Sequence, residues 1–87
     1  MLTVRILAAA SRELTHLDKQ IARRIVKRLR WLAGNPEKVK HKALKGELAG
    51  LFSLREGDYR VIYEIVRGEQ TMLIHAIAHR RDVYKRR

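Results

Sequence analysis

Apolar and polar residues alternate with a period of two near both ends of the chain and recur with a helical period between them. Phe52 and Leu54 alternate with Ser53 and Arg55, a Gly57-Asp58 turn follows, and Tyr59 to Val66 is a β-branched and aromatic run, so the pattern predicts a hairpin. Arg67-Gly68-Glu69-Gln70 predicts a second turn, and Thr71 to Ala78 is apolar enough for a central strand covered on both faces. These three strands are expected to run antiparallel. At the N-terminus Leu2, Val4 and Ile6 alternate with Thr3, Arg5 and Leu7, a short edge strand that directs Arg5 away from the core. From Ala8 the spacing of Ala10, Leu14 and Leu17 predicts a helix, with His16-Leu17-Asp18 as the joint to a second helix and Asp18 as its N-cap. That second helix, Lys19 to Ala33, gathers Ile21, Ala22, Ile25, Val26, Leu29, Leu32 and Ala33 on one face, and Gly34-Asn35-Pro36 ends it. Lys19, Arg23, Lys27 and Arg30 fall on the opposite face. Trp31 lies outside the apolar arc and has two readings: a contact for a partner chain, or a ring folded over the helix end to cover a strand. Pro36 to Gly50 reads as a polar connection, and His79 to Arg87 as a short basic tail with helical potential.

Composition narrows the class. Eighty-seven residues make one small domain, residues 1–87, with a single modest core. Twenty Lys and Arg against nine Asp and Glu give +11, a potential that favours polyanions, anionic membranes or acidic proteins. With no cysteine there is no disulfide, thiolate nucleophile or cysteine-ligated zinc. The opening MLTVRILAAAS has an apolar run too short for a signal peptide, and no stretch approaches the roughly 20 apolar residues of a membrane span, so a cytoplasmic location is expected.

The residues suited to chemistry are cations. Guanidinium groups on a rigid sheet offer paired donors that match phosphate oxygens. Pairing across Gly57-Asp58 brings Arg60 near Arg55; Arg80 leaves the last strand, and Tyr84 follows it by one helical turn. Lys40, Lys42 and Lys45 in the connection, and Arg81 in the tail, are further phosphate contacts to consider. Metal-independent RNA cleavage needs a group to take the 2′-hydroxyl proton, cations on the developing phosphorane and an acid for the 5′-oxygen. Histidine suits either proton-transfer role, and His79, adjoining Arg80, is the candidate. His75 lies inside an apolar run and reads as a buried, hydrogen-bonded residue; His16 and His41 read as surface residues, and Glu64 as an exposed strand glutamate. Four scattered histidines without a carboxylate cluster predict no metal site, and no cofactor is implied. Phosphate-loop, cysteine and serine-elbow templates are absent.

Two motifs, GDYRVIYEI at Gly57 to Ile65 and HRRDVY at His79 to Tyr84, are specific together. With the flanking ALKGELAGLFSLRE they resemble the RelE/ParE toxin superfamily of type II toxin-antitoxin systems, in particular its RelE branch. The resemblance covers almost the whole chain. It implies an α+β fold in which a small twisted antiparallel sheet packs against an N-terminal helical hairpin. It also implies messenger RNA cleavage on the ribosome without metal, and a cognate antitoxin that neutralises the toxin and alone links it to operator DNA; no membrane partner is implied. By position, Arg60 and Arg80 match the family's phosphate-binding and transition-state arginines, Tyr84 its C-terminal tyrosine, and Arg55 a basic position beside them. Leu51 and Ser53 stand where studied members carry two strand lysines, one of them assigned as base, which leaves proton transfer to His79 or a loop lysine. The ParE branch shares the scaffold but binds DNA gyrase and cuts no RNA. A basic nucleic-acid-binding module without activity is a third reading, disfavoured by the lack of exposed aromatic pairs for stacking.

Overall fold

The structure is a computed structural model that describes residues 1–79. Strand β1 (Thr3–Ile6) leads into helices α1 (Ala8–Thr15) and α2 (Lys19–Gly34). A 3₁₀ turn at Pro36–Lys38 and a two-residue strand β2 (Lys42–Ala43) follow, and β3 (Phe52–Glu56), β4 (Tyr59–Val66) and β5 (Thr71–His79) complete a five-stranded sheet ordered β1-β5-β4-β3-β2. The α+β architecture is the one expected, with both helices on one face of the sheet.

The two hairpins sit where the turn residues put them. Gly57 takes φ +61° at the first turn position after β3, which suits the tight hairpin whose first central residue is glycine. β1 is the edge strand expected, and it pairs with β5 in parallel, Thr3 opposite Thr71 through Ile6 opposite Ile74. Alternation reveals which face a strand buries but carries no information on its polarity. The connection read as irregular contributes β2, whose Lys42 and Ala43 pair with Ser53 and Phe52.

The core lies between the helices and one sheet face. Ala10, Ile25, Leu29, Leu32 and Ala33 from the helices meet Leu54, Val61, Tyr63, Met72, Ile74 and Ile77 from the strands. Each fully buried large side chain there contributes about 1.5–3 kcal/mol relative to exposure. Spacing in β5 is irregular, because core positions 72 and 74 are followed by 77. A register shift accounts for this: Tyr63 pairs with Ile74 but Ile62 with Ala76, so one residue, His75, is extra. β5 is central as expected, yet Leu73, His75, Ala76 and Ala78 are half-buried, so only the helix side is fully covered.

Past Ile74, β5 has no β1 partner, and the carboxylate of Glu13 on α1 accepts the Ile77 N–H at 2.8 Å. Asp18 occupies the N-cap position of α2 without a side-chain hydrogen bond. Trp31 is 43% exposed, with the Arg28 guanidinium carbon 5.3 Å from its ring centre. Among the described residues no helix is long and apolar enough to cross a membrane.

Candidate active site

Because strand side chains alternate, the register assigns the face turned away from the helices. Val61 and Tyr63 of β4 enter the core, so Arg60, Ile62 and Glu64 point the other way. Arg55 is directly opposite Arg60, Ser53 opposite Ile62, and Lys42 opposite Ser53, which brings three strands' residues into one field. On β1, Arg5 pairs with Leu73, which in turn pairs with Glu64. Among the described strand residues, the open face therefore carries Arg5, Lys42, Arg55 and Arg60 around a single carboxylate, that of Glu64.

Like charges directly across a strand pair repel. The two arginines separate their heads: Arg55 Nε donates to the Gly57 carbonyl at 3.1 Å, at the hairpin end, whereas Arg60 Nη1 donates to Ser53 Oγ at 3.4 Å, toward the middle of the sheet. Arg55 is exposed and Arg60 half-buried, so an anion settling on this face meets one flexible and one fixed guanidinium. Near them His75 and Glu64 form a pair, Nε2 to Oε1 at 3.0 Å, with side chains 32% and 39% exposed. His75 is thus hydrogen-bonded, as the sequence suggested, but accessible.

Of the residues singled out from sequence, Arg55, Arg60 and Lys42 come together on this face. Lys40 and Lys45 are exposed on either side of β2. His79 is placed otherwise: it pairs with Tyr59, their rings 5.5 Å apart and edge-on, and lines a groove of about 610 Å³ with Ala9, Arg12, Glu13 and His16. Beyond the bulge, residues 77 and 79 share the helix side, so His79 and Arg60 stand on opposite faces of the sheet. Arg80, Arg81 and Tyr84 lie outside the described residues.

His41 departs from its sequence reading. Rather than a surface residue, it packs against Phe52 and Tyr63, with ring centres 5.4 and 5.8 Å away. Its Nε2–H donates to the Pro36 carbonyl at 2.9 Å, leaving Nδ1 to accept the Tyr63 hydroxyl at 2.5 Å. Burial pushes the Tyr63 phenol up from 10.0 to about 12. These contacts tie the segment before β2 to β4, and so place Lys42 beside Ser53. Val39, like His41, turns inward while Lys40 and Lys42 are exposed, an alternation through residues 39–42 that would have identified the buried side.

Fold and site together define a small basic α+β domain whose open sheet face gathers Arg5, Lys42, Arg55 and Arg60. A sequence model of the family described as ParE toxin of type II toxin-antitoxin system, parDE, matches residues 4–84. Toxin RelG of Mycobacterium tuberculosis is 39% identical over 85 residues, 97% of each chain, and toxin RelE of the same organism is 40% identical over 83 residues, 94% of this chain and 84% of that one. A chain in the crystal structure of the M. tuberculosis toxin-antitoxin complex RelBE2 superposes with a TM-score of 0.81 at 37% identity, covering 90% of this chain and 96% of that one. Isolated Escherichia coli RelE superposes with a TM-score of 0.78, covering 98% and 93%; at 16% identity this is a likeness of fold. The chain belongs to the RelE/ParE superfamily of type II toxin-antitoxin toxins.

Proposed function

We propose that this protein is a RelE-type toxin that cleaves messenger RNA on the ribosome, without a metal ion, and so arrests translation. The observation that carries this reading is the shared open face of Arg55, Arg60 and Lys42, on a chain about 40% identical to two RelE-family toxins. In the proposed reaction the ribose 2′-oxygen attacks the adjacent phosphorus and the 5′-oxygen leaves. Negative charge grows on the non-bridging oxygens, and preorganised guanidinium donors lower the energy of that state more than that of the resting diester. Arg60, fixed on Ser53, is assigned this clamp; Arg55 and Lys42 guide the backbone. Arg80 and Tyr84, and Arg81 as a phosphate contact, are proposed to complete the site from the tail. A cognate antitoxin is the proposed regulator, as the toxin-antitoxin complexes of the relatives RelBE2 and E. coli RelBE suggest by analogy.

The matching family model is that of ParE, which favours one rival, inhibition of DNA gyrase without RNA cleavage. Primer extension on transcripts after induction separates the two. Discrete breaks that vanish when translation is blocked support the nuclease; intact transcripts with accumulated gyrase-cleaved DNA support the rival and overturn it.

A further inference from the structure

We propose that His75, oriented by Glu64, is the base that takes the proton from the ribose 2′-hydroxyl. The inference rests on the nuclease reading above and supplies the group that reading lacks, since Leu51 and Ser53 offer no amine on β3 and its approach, and His79 lies on the other side of the sheet.

Three observations place the pair at the right spot. First, it shares a face with the arginines. Ile62 sits directly opposite Ser53, which holds the Arg60 guanidinium, and Glu64 is the next residue along β4 on that face. At about 3.3 Å per residue, that step is roughly 7 Å, short enough for one ribose-phosphate unit to touch both Arg60 and the pair. Second, the tautomer is suitable. The contact between His75 Nε2 and Glu64 Oε1 makes Nε2 the donor, because an ionised carboxylate can only accept, and this leaves the Nδ1 lone pair as acceptor. Among the described residues Nδ1 has no hydrogen-bond partner. Third, the fold departs from regular pairing at His75: it is the residue left out of the ladder between inward Ile74 and outward Ala76, and it reaches Glu64 on the open face although strict alternation would place only one of residues 75 and 76 there.

The surroundings suit the task. Arg5 from β1, Lys42 from β2, Arg55 from β3 and Arg60 from β4 face the same field, and Glu64 is the single carboxylate among them. The cations attract the phosphodiester, while Glu64 fixes the imidazole and stabilises the imidazolium that forms. In the step itself the 2′-oxygen–hydrogen bond breaks, its proton passing to Nδ1, as the 2′-oxygen forms its bond to phosphorus. The phosphorus–5′-oxygen bond then breaks, the 5′-oxygen takes a proton from solvent water, and the imidazolium returns its proton to the hydroxide so formed. The products are a 2′,3′-cyclic phosphate and a 5′-hydroxyl end. Glu64 touches no substrate atom and is a positioning residue.

The test is cleavage of messenger RNA on programmed ribosomes by the full chain, comparing wild type, His75→Ala, His75→Gln and Glu64→Gln across pH. Each variant is first checked by its thermal transition. General-base catalysis is worth about 100-fold or more in rate, so His75→Ala should fall by that factor at saturating ribosome with little change in half-saturation. It should also lose the acid limb of the pH–rate profile, and added imidazole should restore cleavage to His75→Ala but not to His75→Gln, whose longer side chain fills the space. Glu64→Gln, with the imidazole still present, should lose rate and keep the acid limb. If wild type cuts and His75→Ala cuts equally well with the same pH profile, His75 is not the base while the nuclease reading stands. If His75→Ala is slow but imidazole restores nothing and its acid limb persists, the pair is only structural and the proposal fails. If wild type leaves ribosome-bound RNA intact, both readings fall.

Discussion

Replacing Tyr63 with phenylalanine should make stability at neutral pH worse and stability in strong alkali better, with the two curves crossing. Tyr63 is 1% exposed, and its hydroxyl donates to His41 Nδ1. Removing the hydroxyl leaves a half-buried acceptor without its donor, a loss of about 1–2 kcal/mol. In a domain of this size that lowers the thermal midpoint by roughly 4–8 °C per kcal/mol. Alkali acts in the opposite sense. An unfolded tyrosine ionises near pH 10, whereas the buried phenol ionises near pH 12. Because the folded value is the higher one, the stability it confers is fully present below pH 10 and is lost as pH climbs through 12. The gap amounts to about 3 kcal/mol in total, of which roughly half is gone by pH 11. Tyr63→Phe has no such loss, so the two proteins should match near about pH 11 and the variant should be the more stable by about pH 12. Lysines and the other tyrosines titrate in the same range but do so in both proteins, so the difference between urea unfolding curves at pH 8, 10, 11 and 12 isolates the one phenol. A difference that stays constant with pH would refute the argument that burial withholds the Tyr63 proton. No difference at pH 8 would show that the His41 bond contributes nothing net.

Arg60→Ala should abolish growth arrest on induction and slow ribosome-dependent cleavage by about 100-fold or more, since one preorganised donor is lost where charge develops. Full toxicity in this variant, scored by colony formation and primer extension, would remove the open face from the mechanism. Glu13→Ala should cost about 1.5–3 kcal/mol in urea unfolding, because the Ile77 N–H loses a charged acceptor. Glu13→Gln, which keeps an acceptor oxygen, should recover more than half of that loss, and equal losses in the two would assign the effect to packing instead.

Period and turn chemistry made most of the fold legible. The apolar face of α2, the Gly57-Asp58 hairpin and the centrality of β5 all follow from spacing that a single residue cannot disturb. What escaped had a common cause, namely information that resides in pairing rather than in the strand itself. The parallel direction of β1 is set by where α1 and α2 return the chain, and β2 is two residues whose only signature is the inward turn of Val39 and His41 between exposed lysines. Arg55 and Arg60 were legible as neighbours because a tight turn fixes the register around it, and Arg60 with Ser53 shows how local that certainty is. Seventeen residues downstream of Gly57-Asp58, the same count fails past His75.

That failure arises from a conflict the sheet must resolve. The core draws Met72 and Ile74 from the first half of β5 and Ile77 from the second, and a strand with period two cannot present positions 74 and 77 on one side. One surplus residue reconciles them, at the cost of a local break in the ladder, and everything C-terminal to it changes sides. Ala78 rather than His79 therefore faces outward beside Arg60, and His75 emerges next to Glu64. The outward positions opposite Ile62 and Arg60 are both alanine, Ala76 and Ala78, so no bulky side chain from β5 stands over the arginine or between it and the imidazole. Core packing and the proposed chemistry thus depend on the same irregularity. Deleting Ala76 would restore simple alternation, with Ile74 and Ile77 both still inward, His79 still on the helix side, and His75 drawn into the ladder opposite Ile62 rather than standing as the surplus residue beside Glu64. Such a chain should keep most of its core stability in urea unfolding yet lose ribosome-dependent cleavage, because the imidazole leaves its place on Glu64; a chain that cuts as fast as wild type would remove the bulge from the mechanism.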